Sequence, residues 1–307
     1  MAKVRDGECV REAITDSWWE ILGVSKQDML ITYRPGEEAG DVLTIPPPPR
    51  WDIEKVLGPV VEATNGVQFR RAMLRNRVCP DHVAMGKIYD LLHVDSTKRA
   101  AYVQLIKRHP EVMAKCQSAR ISKVHDIYAF EGNSGWWVIE EWLNGSLLSN
   151  LIEDNAFIPK QEWLIWLGTE LILALEHLHG KKIIFRDLSP EKVHWVGDRI
   201  VLSDFEVAKL LGGTYSVVKQ CIEESPYRAY EVYGNSSNLD PSCDIYSWAR
   251  TILAAFSGNP MADPAQIDFV ASRPQLLKIF QSCLSHCKSK RPQNVKSVLK
   301  IWQKLAR

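Results

Sequence analysis

Two aspartates in the second half of the chain, Asp187 and Asp204, follow short apolar segments and stand close together in the sequence. Carboxylates can accept a proton from a reacting hydroxyl or hold a divalent cation. Lys192 lies between them, and its ammonium offers hydrogen-bond donors only, so it cannot coordinate a metal ion. It could instead lie against either aspartate as a counter-charge. These residue types predict a charged site whose chemistry depends on the segments that position it.

The segments around these residues resemble the catalytic loop and the metal loop of the eukaryotic-type protein kinases. The family pattern is H-R-D-L-x-x-x-x-N followed by D-F-G. The resemblance implies that Asp187 accepts or orients the proton of an attacking hydroxyl, and that Asp204 holds the magnesium ion bridging the nucleotide phosphates. The residues that match the pattern are Arg186, Asp187, Leu188, Asp204 and Phe205.

Three positions depart from that pattern. Phe185 replaces the His and is similar to the Y-R-D variant of AGC-type kinases, so we expect it to stack on Phe205 as part of the core. Glu206 replaces the Gly, which adds bulk and charge where glycine lets the loop bend. Lys192 replaces the Asn that holds a second magnesium ion. Three interpretations of Lys192 stay open: a salt-bridge partner of the aspartates, a direct nucleotide contact, or a solvated loop charge.

Further motifs of the larger kinase lobe follow. Residues 225–231 resemble the T-P-x-x-A-P-E segment, with Tyr230 in place of the proline. Asp244 begins a segment similar to the central helix of that lobe, and Arg291 matches a late arginine motif. The resemblance implies a buried ion pair between Glu231 and Arg291, and it implies that Asp244 braces the backbone of the catalytic loop.

The motifs of the smaller lobe match poorly. A glycine-rich loop needs glycines so that backbone amides can approach phosphates, and only Gly66 remains in the best alignment. A lone glycine after Asn65 is more typical of a plain hairpin turn than of a phosphate-binding loop. The V-A-I-K motif aligns with residues 83–86, which places Lys87 one position late. Because successive strand residues point to opposite faces, Lys87 can contact a nucleotide only if a bulge at Gly86 resets the register.

The expected partner of that lysine, a glutamate on the next helix, is also missing. Residues 96–109 contain no acidic residue, and Glu111 is the first one, just past Pro110. The Lys–Glu pair that positions the phosphates is therefore predicted to be absent or rebuilt.

The composition of the chain limits the classes of protein to which it can belong. The chain has 307 residues, of which 46% are hydrophobic, as in an ordinary globular protein. A net charge of +1 implies no general affinity for nucleic acid, and no apolar run reaches membrane-spanning length. Seven scattered cysteines favour reduced thiols, so a cytoplasmic location is expected. The predicted partner or substrate is another protein.

These observations predict an α+β, bilobal, protein-kinase-like fold. Residues 1–50 form an N-terminal extension ending in a polyproline linker, residues 51–141 a small β-rich lobe, and residues 142–307 a larger helical lobe. The favoured function is a catalytically impaired pseudokinase acting as a signalling scaffold or allosteric partner, with weak or absent ATP and Mg binding. The alternative is an active, divergent serine/threonine kinase, and a small-molecule kinase of the same fold is a third possibility.

Overall fold

The chain divides into two compact units. The computed structural model describes residues 9–10, 31–32, 47–62, 67–130, 134–154, 157, 159–211, 224–234 and 239–305. Gly66 and most of the predicted extension lie outside these residues. The first unit comprises residues 1–99 and 125–142, and the second comprises residues 100–124 and 143–307.

The first unit is built on a five-stranded sheet in the order β3-β4-β5-β7-β6. The neighbouring strands β3, β4, β5 and β7 are paired antiparallel. A separate short pair, β1 with β2, is also antiparallel. The strands are β1 (Cys9–Val10), β2 (Ile31–Thr32), β3 (Trp51–Glu62), β4 (Gln68–Asn76), β5 (Val83–Asp90), β6 (Val124–Ala129) and β7 (Gly135–Glu141).

Gly86 lies at the centre of this sheet, where a strand would ordinarily carry a side chain. Ala84 and Ile88, which share its face of β5, belong to a buried apolar cluster with Leu74 and Trp137. A Cβ atom at Gly86 would lie 2.5 Å from the indole of Trp137 and 2.6 Å from Leu74. The space that a side chain at this position would need is therefore filled by Trp137.

Lys87 occupies the opposite face of β5. The pairing of β5 with β4 and with β7 is continuous from Ala84 to Asp90, so the bulge that would have turned Lys87 is absent from these strands. Its ammonium lies 5.1 Å from the ring centre of Phe69 and 5.2 Å from that of Tyr89. The side chain is buried, with 7% exposed. Two aromatic faces thus stabilise the charge of Lys87 by cation–π attraction.

The first long helix, α1 (Ser96–Ala114), begins in the first unit and from Ala100 belongs to the second. The helix continues through Pro110 without a break. Proline removes one backbone donor and tends to kink a helix, but Val112 and Met113, which follow Pro110, are packed in the apolar cluster of the second unit.

The second unit is helical, and its core is one large apolar cluster. Trp248 stacks on Phe280 and meets Trp302 edge-on, which joins three of the helices. None of the described helices combines the length and apolar composition needed to cross a membrane. The remaining helices are α2 (Leu148–Glu153), α3 (Gln161–Gly180), α4 (Ser242–Ser257), α5 (Asp268–Ala271), α6 (Pro274–Cys283) and α7 (Val295–Leu305).

Five short strands of this unit carry the two aspartate loops. The strands are β8 (Ser146–Leu147), β9 (Ile183–Ile184), β10 (Val193–Val196), β11 (Arg199–Leu202) and β12 (Lys209–Leu210). β10 pairs with β8 and β11, and β12 returns to pair with β9. The loop after β9 and the loop after β11 are therefore brought together. The β-rich first unit and helical second unit confirm the predicted α+β class.

Glu231 and Arg291, which are far apart in the sequence, form a two-pronged ion pair. Arg291 donates from Nη1 to Oε1 at 2.5 Å and from Nη2 to Oε2 at 3.1 Å. Only 1% of the Arg291 side chain and 13% of the Glu231 side chain are exposed. Arg291 also donates from Nε to the carbonyl of Ser285 at 2.7 Å. The expected pair is present and is enclosed by protein.

Replacing Arg291 by alanine should lower the free energy of unfolding by about 3–5 kcal/mol, because Glu231 would remain buried without its counter-charge. Urea denaturation followed by circular dichroism measures the change. Arg75 forms an ion pair with Glu54 in which 41% and 35% of the side chains are exposed. Arg75→Ala should therefore cost less than about 1 kcal/mol. Equal losses in the two variants would contradict a special role for the buried pair.

Replacing Gly86 by alanine should also destabilise the protein, by about 1–3 kcal/mol, because the added methyl group overlaps Trp137 and Leu74. The control is Gly180→Ala at the end of α3, where an added Cβ meets nothing within 4 Å; this change should stay within about 1 kcal/mol. Trp137→Leu in the Gly86→Ala background should recover part of the loss. The packing argument fails if the two glycine variants unfold at the same denaturant concentration.

Candidate functional site

Asp244 organises the backbone of the loop that carries Asp187. It is fully buried, and its carboxylate accepts hydrogen bonds from the backbone N–H groups of Phe185 at 2.9 Å and Arg186 at 2.7 Å. His179 Nε2 lies 2.8 Å from the same carboxylate. Arg186 has φ +69°, a left-handed conformation that costs energy in a non-glycine residue. The two hydrogen bonds to Asp244 hold that strained turn, which is the bracing contact expected of Asp244.

Arg186 turns its side chain into the protein. It is 1% exposed, and its Nε donates to the carbonyl of Val207 at 2.5 Å. Within the described part of the chain its two terminal nitrogens have no hydrogen-bond partner. Burial, and then the nearby charge of Arg108, lowers the pKa of Arg186 to about 10. Arg186 is therefore a buried cation whose charge is poorly solvated.

Phe185 and Phe205 make the expected aromatic contact. Their ring centres are 4.6 Å apart, and both side chains are buried. The backbone N–H of Phe205 lies 3.4 Å from Nε2 of His109 on α1. These contacts hold the loop after β11 against the core. They thereby fix the position of Asp204, the residue that precedes Phe205.

Lys192 lies at the end of a short 3-10 turn, Pro190–Lys192. Its backbone is pinned on both sides: its N–H donates to Ser189 at 3.0 Å, and its carbonyl accepts from Ser203 at 3.0 Å. The ammonium consequently contacts Oδ2 of Asp204 and lies 3.9 Å from Oδ2 of Asp187. Asp204 itself has φ +64°, again left-handed. Of the three interpretations of Lys192, this geometry favours the salt-bridge partner.

Asp187 has a second cation beside it. Nη2 of Arg228 donates to Oδ1 of Asp187, and both side chains are 10% exposed. Burial raises the pKa of Asp187, while the charges of Lys192 and Arg228 oppose that rise. The carboxylate that the resemblance assigns as the proton acceptor thus has Oδ1 hydrogen-bonded to Arg228 and Oδ2 3.9 Å from the ammonium of Lys192.

The residues present do not fit a magnesium ion. Magnesium takes carboxylate and other oxygen ligands, and it retains water in an octahedral shell. Here an ammonium lies against Asp204, and Lys192 supplies no acceptor where the family has the Asn oxygen.

The described residue of the first unit that was a candidate for nucleotide binding, Lys87, is not positioned by the structure for that role. Lys87 is enclosed by Phe69 and Tyr89 on the sheet face opposite Ala84. Gly66 lies outside the described residues, so its assignment stays a prediction. On α1 the first acidic residue is Glu111, which acts electrostatically on Arg108. Lys87 therefore lies against two aromatic rings on the face of β5 opposite the one that carries Gly86.

Three residues of these arrangements were missed by sequence reasoning. Arg228 was passed over because its contact with Asp187 joins two loops that are distant in the chain. His179 ends a helix, where a histidine is ordinary, and only its distance to Asp244 reveals its role. Trp137 was passed over because its packing over Gly86 joins two neighbouring strands that are distant in the sequence. The available sign of this packing in the sequence was the alignment with the V-A-I-K motif, which places a glycine instead of a lysine at position 86.

Comparison with known proteins places this geometry in a family. The model of the protein kinase domain matches residues 75–305, which is most of the chain. A probable serine/threonine-protein kinase of Dictyostelium discoideum is 27% identical over 165 residues, covering 49% of this chain and 35% of its own length.

Two further relatives are more distant in sequence. Serine/threonine-protein kinase Nek1 of Mus musculus is 25% identical over 210 residues, covering 64% of this chain and 17% of that protein. Mitogen-activated protein kinase kinase 7 of Arabidopsis thaliana is 25% identical over 183 residues, covering 58% of each chain. The chain therefore spans less than two thirds of the length of these relatives. The match to the protein kinase domain, together with the two aspartate loops, establishes that this chain belongs to the protein kinase family.

Proposed function

We propose that this protein is a pseudokinase, a kinase-fold protein that does not transfer phosphate at a useful rate and acts through protein partners. The observation that carries the proposal is the contact between Lys192 and Asp204. A kinase domain typically binds ATP with magnesium, and the metal is held by the aspartate at this position. Here a side chain of the protein itself neutralises that aspartate.

The first unit supports the same conclusion independently. Kinases use a lysine on the third strand of the small lobe to hold the α- and β-phosphates. The aligned position is Gly86, and the indole of Trp137 fills the space above it. Lys87 is on the other face of the strand, between two aromatic rings. No lysine of this strand therefore points from the face on which the family carries it.

These losses act on different parts of the reaction. The contact of Lys192 with Asp204 acts against metal binding, and the glycine at position 86 leaves the phosphates without the strand lysine. The contact of Arg228 occupies Asp187, the expected proton acceptor. Loss of one positioned transition-state contact costs about 3–4 kcal/mol of barrier, and about 1.4 kcal/mol corresponds to a tenfold change in rate. Their combination leaves little turnover.

One observation favours the alternative, an active serine/threonine kinase. Both carboxylates are retained, and their loops keep an ordered backbone braced by Asp244. Two of the relatives named above, those of Dictyostelium discoideum and Mus musculus, are named as serine/threonine-protein kinases. In that case Lys192 and Arg228 would have to leave the carboxylates before substrate binds. The experiments below separate the two functions.

A protein partner is the natural target of either function, because kinase domains act on proteins. For the pseudokinase we propose a scaffolding or allosteric role. Five cysteines in the described part of the chain are free thiols, which supports our proposal of a reducing, cytoplasmic environment.

Adding ATP should raise the melting temperature no more with magnesium than with a chelator, because the carboxylate that would hold the metal is already paired with Lys192. Differential scanning fluorimetry with ATP and either MgCl2 or EDTA measures this. A magnesium-dependent rise of more than about 2 °C, roughly the effect of 1 kcal/mol in a chain of this size, would contradict the pairing as a block to metal.

Phosphate transfer should be absent or very weak. Radiolabelled ATP is offered with generic protein substrates and with the chain alone, and wild type is compared with Asp187→Asn. Equal background in both proteins is the expected result. Magnesium-dependent turnover near about 1 per second that disappears in Asp187→Asn would establish the active kinase instead.

A further inference from the structure

Four charged side chains of the second unit form a closed arrangement around the two loops. Asp187 and Asp204 supply two negative charges, and Lys192 and Arg228 supply two positive charges. Each carboxylate is in direct contact with one cation. None of the four side chains is more than 18% exposed. Ion pairs that are this well enclosed are little weakened by salt.

We propose that Arg228 is a second internal counter-cation, and that Arg228 and Lys192 together prevent Asp187 and Asp204 from taking up a divalent cation. This inference rests on the pseudokinase proposed above and deepens it. Metal exclusion is then shared between the catalytic loop and the segment at residues 224–234, rather than caused by the single substitution at the Asn position.

The segment that presents Arg228 is firmly built. The N–H of Ser225 donates to the hydroxyl of Tyr233 at 2.8 Å, and the hydroxyl donates back to the carbonyl of Ser225 at 3.2 Å. The N–H of Arg228 donates to the same carbonyl at 3.1 Å. The next residue, Ala229, is fully buried in a small apolar cluster. Arg228 is therefore held in place by its neighbours before any contact with Asp187 is counted.

The segment is also anchored at its other side by the buried pair of Glu231 with Arg291. Because Glu231 is three positions from Arg228, that pair limits how far the guanidinium can move. A preorganised cation loses little conformational entropy when it pairs. The Arg228 contact is thus part of the fold of this segment and not a chance approach of a surface side chain.

The distances make the two cations partly interchangeable. Lys192 contacts Asp204 and lies only 3.9 Å from Asp187. If Arg228 is removed, the ammonium can serve both carboxylates. If Lys192 is removed, Arg228 still contacts Asp187, and only the carboxylate of Asp204 loses its ammonium partner. Removing one cation should therefore open the site incompletely, and removing both should expose the pair of carboxylates.

The test measures Mn²⁺ binding to the full chain without nucleotide. Electron paramagnetic resonance reports free Mn²⁺ directly. Lys192→Met, Arg228→Met and the double variant are compared with wild type, since methionine removes the charge without adding a metal ligand. We expect the affinity gain of the double variant to exceed the product of the two single gains by about tenfold, because the residues share carboxylate partners.

Controls locate the effect. Arg120→Met removes a different Arg–Glu pair of the same unit, with Glu170, and should leave Mn²⁺ binding unchanged. Asp204→Asn added to the double variant should abolish the gain. Arg228→Gln is measured in parallel, because it is neutral but still able to donate to Asp187, and circular dichroism verifies that each variant is folded.

The inference is overturned if Lys192→Met alone gives the full gain, if the two gains simply multiply, or if wild type already binds Mn²⁺ as tightly as the double variant. Phosphate transfer by the wild-type protein would instead refute the pseudokinase itself. The two failures are distinguishable, because the Mn²⁺ measurement contains neither ATP nor a protein substrate.

Discussion

The buried carboxylate of Asp244 is the interaction on which the candidate site depends. Because this carboxylate is shielded from water, its hydrogen bonds come from the protein: two backbone N–H groups of the catalytic loop donate to it, and His179 contacts it. Those bonds impose the left-handed turn at Arg186 and thereby fix the direction of Asp187. An unpartnered buried charge would be costly, so the loop and Asp244 each stabilise the position of the other. All of these contacts are made by atoms of the protein itself.

Charge neutrality governs the two aspartates that this brace brings together. Carboxylates that are nearly buried need a counter-charge, and in kinases a metal ion is one source of it. In this chain the counter-charges are covalently part of the protein, through Lys192 and Arg228. An internal cation competes at an effectively fixed concentration, whereas a metal ion must be taken from solution. The retention of Asp187 and Asp204 is therefore compatible with a structural role as partners of these two cations.

Packing decides the corresponding question in the first unit. Removal of the side chain at position 86 lets the indole of Trp137 approach the strand, and the strand then accepts no replacement side chain without movement of the indole. Lys87 is stabilised on the other face by Phe69 and Tyr89. At the position where the kinase motif carries a lysine, the first unit thus has an apolar contact between Gly86, Trp137 and Leu74.

The sequence by itself indicated the family and the α+β class through its motifs, and the resemblance to kinases implied the pairings of Glu231 with Arg291 and of Phe185 with Phe205. It also limited Lys192 to a few roles, since an ammonium cannot bind metal. The tertiary structure decided which role the geometry favours, how α1 continues past Pro110, and that no bulge turns Lys87. It alone brought Arg228 to Asp187 and Trp137 over Gly86. Such contacts join residues that are distant in the chain, and their formation depends on packing and on the neutralisation of buried charge, which no local pattern encodes.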